Sequence, residues 1–258
     1  NELIRFLMLS LHLERLSDIQ LAATDTPRSM QAAPAISGRI RLDGVGFRHT
    51  DDQPWILQHI ELDIQPADRL CILGPSGCGK STLLNVMQNL LPATHGEIYI
   101  DELPLSGAGG HALSTHSASV MQGEALLSGS IQSNIAFNDP EFDYERVESA
   151  ARLAMIHDDI MAMAMGYESL IGDMGTILSA GQQSRVLIAR ALYHRPKILF
   201  LDECTAHLDE ATEAQVMQSI IDLKITCIFV THNTRLARQA TAVLLLTPSG
   251  YQLVSGNP

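Results

Sequence analysis

The chain has 258 residues, with 46% hydrophobic and 18% charged side chains and a formal net charge of -12. That length is sufficient to bury a large core. A strongly acidic chain without a Lys/Arg cluster argues against a surface made to neutralise nucleic-acid phosphates. No run reaches the 18 or so apolar residues that a membrane-spanning helix needs.

In chain order, residues 1–16 are predicted to be helical, with Leu3, Phe6, Leu7 and Leu11 on one face. A start in mid-helix suggests an excised fragment. Residues 22–37 collect Thr, Pro, Ser, Gln and Ala without periodicity and read as a linker, so the main domain is expected to begin near Gly38. Ile40 and Leu42, then Ile60, Leu62 and Ile64, alternate as in half-exposed antiparallel strands. Leu70-Cys71-Ile72-Leu73 reads as a buried strand.

Gly74-Pro75-Ser76-Gly77-Cys78-Gly79-Lys80-Ser81 follows that strand and matches every fixed position of the phosphate-binding loop G-x-x-x-x-G-K-[ST]. Glycines let backbone N–H groups converge on a β-phosphate, Lys80 adds a point charge, and the Ser81 hydroxyl suits Mg²⁺. Leu83, Leu84, Met87, Leu90 and Leu91 continue at helical spacing, and Pro92 is expected to end that helix. The chain therefore grips a nucleoside triphosphate. Glu97–Ile100 reads as a further strand and Ser106–Gly110 as a loose glycine-rich connection.

Between about Gly123 and Gly181 the pattern turns helical, with Val147, Ala151 and Ala154 on one stripe, as expected of an inserted lobe. Met155, Met161, Met163 and Met165 fit flexible packing there, and His157-Asp158-Asp159 fits a solvated charged turn better than a metal site. Ile198–Leu201, Thr226–Thr231 and Val243–Leu246 are short apolar runs separated by helical patterns, as parallel strands require. Asp202 and Glu203 end the first of these, where a parallel sheet meets its ligand. Asp202 can hold Mg²⁺ and Glu203 can polarise an attacking water. Cys71, Cys78, Cys204 and Cys227 form no C-x-x-C pair and read as reduced thiols.

Leu199–Glu203 resembles a Walker B motif, and Leu178-Ser179-Ala180-Gly181-Gln182 resembles the L-S-G-G-Q signature of ATP-binding cassette proteins. By themselves these five residues read as a helix cap. With the other motifs in order across 38–258, the chain is identified as similar to the nucleotide-binding domain of an ABC exporter. The resemblance implies an α/β P-loop NTPase fold with a mainly parallel core sheet, an antiparallel β lobe and a helical subdomain at about 123–183. It implies ATP and Mg²⁺ as ligands, with Gly74 through Thr82 on ATP, His49 at the place of an adenine-stacking tyrosine, and Ser81, Gln122 and Asp202 towards Mg²⁺. It assigns catalysis to Glu203, Gln122 and His232. It further implies a head-to-tail pair in which Ser179, Ala180, Gly181 and Gln182 act on the partner's ATP and Asp209 lies at the contact.

Gly172-Asp173-Met174-Gly175 resembles the exporter X-loop, with Asp for the usual Glu. Leu11–Ile19, Val120-Met121-Gln122 and Met165–Gly172 resemble the colicin V-type, peptidase-containing bacteriocin exporters. That narrower likeness implies that residues 1–20 extend a transmembrane helix, 21–37 link it to the cassette, and a peptidase, membrane domain and peptide cargo belong to the whole transporter at the cytoplasmic face of the inner membrane. The sequence departs from the family at Ala180, His49, Ala206, His207 and Cys204, with Trp55 a second aromatic near the adenine position. Two other readings remain at this point: a nucleotide-gated module of low turnover, and a soluble cassette ATPase acting on nucleic acid.

Overall fold

A computed structural model describes residues 32–137, 139, 141–172, 178–247 and 250–255. The expected opening helix, most of the expected linker and residues 173–175 of the X-loop-like turn lie outside the described residues. From Ala33 onward the chain forms one compact unit.

Two sheets carry it, beside a small antiparallel pair of β7 (Gly129–Ser130) and β8 (Leu170–Ile171). β1 (Ile40–Phe47), β2 (Leu57–Ile64), β4 (His95–Ile100) and β5 (Leu103–Pro104) form an antiparallel sheet in the order β2-β1-β4-β5. The second sheet has the order β12-β11-β3-β10-β9-β6. Its strands β3 (Arg69–Leu73), β6 (Ser117–Val120), β9 (Ile198–Asp202), β10 (Thr226–Val230) and β11 (Ala242–Thr247) pair in parallel, and β12 (Gly250–Ser255) returns antiparallel on the edge. All five residues of β9 and of β10 are buried, which is why these strands read as unbroken apolar runs.

The period of two divides the side chains of this sheet between two cores. Leu70, Ile72, Phe200, Ile228 and Val230 face a core shared with the antiparallel sheet and with α1 (Lys80–Met87). Cys71, Leu199, Leu201, Cys227 and Phe229 face the other, shared with the helical lobe. That lobe contains α3 (Ile131–Ile135), α4 (Tyr144–Leu153), α5 (His157–Met161) and the start of α6 (Ala180–Tyr193). Val147, Ala151 and Ala154 are buried as their stripe requires, and Asp143 caps α4 by accepting from Glu145 N and Arg146 N. All four cysteines are free and buried, and burial pushes the Cys71 thiol up to about 12.

Four local expectations need correction. Helix α1 stops at Met87 rather than near Pro92, because Asn89 adopts φ 60° and closes a Schellman turn. Asn89 N bonds Val86 O at 3.1 Å and Leu90 N bonds Asn85 O at 2.9 Å, leaving Leu90 off the helix and exposed. The glycine-rich connection is instead the beginning of α2 (Ala108–His116). A Cβ on Gly109 would lie 2.5 Å from Leu103 O, so its glycine serves close helix–strand approach rather than looseness. Met161 and Met165 are exposed, with only Met155 and Met163 against the core, since Ile160 is the buried residue of the short α5. His157-Asp158-Asp159 is the first turn of α5, and Asp159 is bonded rather than solvated, pairing with Arg185 at 2.7 Å and accepting from Gln182 Nε2 at 2.9 Å.

Ile36 is already buried in the core, two residues ahead of Gly38, and the chain beside it is fastened to Asp101. That carboxylate accepts from Ser37 N, Ser37 Oγ, Gly38 N and Arg39 N at 2.7–3.2 Å. Partial desolvation works against its ionisation, but the bonds from Ser37, Arg39 and Gly38 prevail and hold its pKa below the usual value. A depressed folded pKa gives stability that is present above the unfolded pKa of about 3.9 and is lost as pH falls through the folded one. Asp101→Asn, which keeps the positive φ of 54° accessible, should therefore cost about 1–2 kcal/mol at pH 7 and progressively less below pH 4. Urea midpoints at pH 7 and pH 3 check this; an equal loss at both would refute it.

Candidate nucleotide site

The phosphate-binding segment joins β3 to α1, with Gly79 as the N-cap at φ 99°. A Cβ there would lie 3.0 Å from Ile56 Cγ2, so only glycine permits both the turn and the contact. Lys80 is buried, and its ammonium donates to Gly74 O and Pro75 O, both at 3.0 Å. Cys78 is buried, its sulfur 2.7 Å from where a Gly74 Cβ would stand, which makes it a packing residue of the loop.

Asp202 ends β9 and is almost fully buried. Burial raises its pKa, the Ser81 hydroxyl bond lowers it, Glu203 raises it and Lys80 lowers it, with a net upward shift. Its Oδ1 is buried without a partner. An orphaned carboxylate oxygen beside a hydroxyl suits a hard, oxygen-seeking cation such as Mg²⁺.

Glu203 follows at φ 51°, a conformation that costs a non-glycine residue energy and that clusters at functional sites. Its Oε1 lies 2.8 Å from His232 Nε2, and its Oε2 accepts from Gln122 Nε2 at 3.1 Å. The three come from just beyond the carboxyl ends of neighbouring strands β6, β9 and β10, where open α/β sheets bind ligands. A cleft of about 340 Å³ opens beside them, lined by Glu203, Thr205, Leu208, Glu213, His232 and Asn233.

The remaining sequence candidates lie elsewhere. Ser179 is the N-cap of α6 in a full capping box, accepting from Gln182 N at 3.2 Å while its own N–H donates to Gln182 Oε1 at 3.0 Å. Ala180 is exposed at the first helical position, and a Cβ on Gly181 would lie 3.0 Å from His207 O. Asp209 caps α7 (Glu210–Asp222) through Ala211 N, Thr212 N and the Thr212 hydroxyl, and the hydroxyl bond is the main cause of its lowered pKa. Among the described residues, none of Ser179, Gln182 or Asp209 bonds the phosphate loop, Asp202, Glu203 or His232. His49 is exposed and edge-on to Phe47 at 5.1 Å, while Trp55 carries the Arg48 guanidinium 4.6 Å from its ring centroid. Trp55 and Cys78 line a common cleft, so this aromatic flanks the phosphate loop.

Sequence reading missed the link between Asn233 and Glu213. Asn233 caps α8 (Thr234–Ala237), and its Nδ2 donates at 2.6 Å to the buried Glu213 of α7, tying the segment after His232 to the helix after Asp209. Twenty residues separate the two, and an Asn after a strand carries no signal for such a bond.

A strand–loop–helix phosphate cradle beside a buried aspartate at the carboxyl edge of a parallel sheet defines a P-loop nucleoside triphosphatase. Residues 57–206 match the family model described as ABC transporter. The chain belongs to that family, as an ATP-binding, ATP-hydrolysing domain. It is 36% identical over 244 residues to the colicin V secretion/processing ATP-binding protein of Escherichia coli, covering 94% of this chain and 35% of that one. It is 35% identical over 243 residues to the leukotoxin translocation ATP-binding protein of Mannheimia haemolytica, covering 93% and 34%. The chain thus spans about a third of the length of these relatives. A bacterial Atm1-family ABC exporter solved with ATP bound superposes with a TM-score of 0.85 at 28% identity, over 97% of this chain and 44% of that one. Among the described residues no helix is long and apolar enough to cross a membrane.

Proposed function

We propose that this chain is the nucleotide-binding domain of a bacterial exporter, hydrolysing MgATP at the interface of a head-to-tail pair. The carrying observation is the grip of Gln122 and His232 on Glu203 at the edge of the phosphate site. Gly74 through Thr82 hold the phosphates, with Lys80 turning from its loop carbonyls to the β/γ oxygens. Mg²⁺ on Ser81, Asp202 and Gln122 would neutralise charge on those oxygens. Glu203 orients a water, accepts its proton as the water oxygen attacks the γ-phosphorus, and the bond to the β-bridging oxygen breaks. His232 holds Glu203 in place and would contact the γ-phosphate.

Ser179 and Gly181 are presented at an exposed helix N-terminus that makes no bond to the phosphate loop of its own chain, which favours action on a second subunit. Asp209 belongs to the same contact, and His49 or Trp55 offers a face to adenine. Residues 38–258, with 33–37 packed in the same unit, form the cassette, 123–183 its helical subdomain, and the residues before them the connection towards a membrane domain. The colicin V secretion/processing and leukotoxin translocation relatives support a peptide or toxin cargo; a peptidase domain and a place at the cytoplasmic face of the inner membrane belong to the same reading.

Pairing is tested by phosphate release as a function of chain concentration. Turnover per chain should rise with concentration, and Ala180→Gly, which removes a methyl group from the contact, should shift the curve about fivefold lower, equivalent to roughly 1 kcal/mol. Turnover independent of concentration, in both chains, would count against a shared site.

A further inference from the structure

At the opposite end of the parallel strands a second cavity of about 290 Å³ opens beside α4, the carboxyl end of α6 and the segments entering β9 and β10. Its floor is apolar, including Leu153, Leu192 and Ile225, and its other walls carry Arg146, Arg195 and Lys197. No carboxylate lines it. In a chain of net charge -12, three cations around one apolar hollow are a local reversal of sign.

Two of these cations are not committed to the fold. Among the described residues, the side chains of Arg195 and Lys197 form no ion pair or hydrogen bond, and both are exposed. Arg146 is fixed differently. Its Nη2 donates to Tyr193 O at 3.0 Å and its guanidinium stacks 4.2 Å from the Tyr193 ring centroid, yet its buried Nε has no partner. A held guanidinium beside two unpaired cations gives the hollow a positive field suited to an anionic head. The Arg195 backbone is held at φ 50° by its N–H to Leu192 O at 3.0 Å, which fixes where its free side chain leaves the chain.

We infer that this cavity binds an amphiphilic anion, with a carboxylate or phosphate head at Arg146, Arg195 and Lys197 and an aliphatic chain over Leu153, Leu192 and Ile225. At about 30 Å³ for each water-sized group, the space takes about ten such groups, which matches a medium-length acyl chain rather than a membrane lipid with two long tails. Ile198 and Thr226, which open β9 and β10, follow the cavity directly, and the nucleotide residues lie beyond the other ends of those strands. The cavity is therefore separate from the nucleotide site.

Titration calorimetry of the 258-residue chain with sodium decanoate, decyl phosphate, decyltrimethylammonium and inorganic phosphate tests the assignment. At least one of the two decyl anions should saturate a single site with Kd below about 1 mM, with or without ATP, and the pair of them distinguishes a carboxylate from a phosphate head. Arg195→Glu with Lys197→Glu, both at exposed positions, should weaken that binding by about tenfold or more at low salt while leaving the melting temperature and ATP binding in place. Absence of saturable binding by both decyl anions, equal binding of the decyl cation, binding of inorganic phosphate alone, or unchanged affinity in the folded double variant would each overturn it.

Discussion

Glu203→Gln is expected to lower ATP turnover by about 10²- to 10⁴-fold, the range that general-base positioning supplies, while ATP binding persists. The amide keeps nearly the same shape but loses the charge that accepts a proton from water. It also retains one acceptor oxygen, so a bond to either Gln122 or His232 survives. Because the ATP remains whole, the variant should accumulate as a closed pair when ATP is added, visible as a doubled mass in light scattering. Steady-state phosphate release gives the first reading and light scattering the second. Turnover near the unsubstituted level would remove Glu203 from the role assigned to it, whereas loss of ATP binding would point to damage of the loop instead.

Lys80→Ala should act one step earlier, weakening ATP binding by about 10- to 100-fold, as expected when the net loss is that of one charge-assisted hydrogen bond of about 1.5–3 kcal/mol. The fold should survive with a smaller penalty. Lys80 is buried, but its ammonium bonds only to Gly74 O and Pro75 O, within the loop whose shape Gly79 and its contact with Ile56 also define. Equilibrium dialysis with ATP against the melting temperature separates the two effects. A variant that binds ATP as before would show that the backbone amides suffice. A variant that fails to fold would place Lys80 in the core instead of the site.

The phosphate loop and the two carboxylates at the end of β9 were legible because each is set by chemistry over a few consecutive residues. The buried parallel strands were legible for a similar reason, since burial on both faces writes an unbroken apolar run into β9 and β10. Strand β6 was not, because Ser117-Ala118-Ser119-Val120 has neither a run nor a strong alternation, and it is a strand through pairing with β9. Glycines misled at α2, where Gly109 serves contact with β5 and Gly110 with Leu105 just beyond it rather than freedom of the chain. Gln122 and His232 carry no local signal and were placed only through family resemblance. Their contact with Glu203 depends on three strands being neighbours in space, which no short window of sequence contains. Asp159 was misread for a related reason, as its partners Gln182 and Arg185 lie more than twenty residues away.

Helix α6 begins in the helical lobe, where Gln182 and Arg185 hold Asp159, and ends at Tyr193, whose hydroxyl donates to Asp139 at 2.6 Å and accepts from Asp143 N at 3.2 Å. Between those ends it packs in the core beneath β9 and β10. Its 14 residues make a rod about 21 Å long. A pivot of only 10° about the Tyr193 end would sweep Ser179 through roughly 4 Å, more than a hydrogen-bond length. In the proposed pair, small tilts of this rod would thus be enough to present or withdraw the serine from a neighbouring nucleotide, and whatever fixes the far end of the helix would set the precision of that contact.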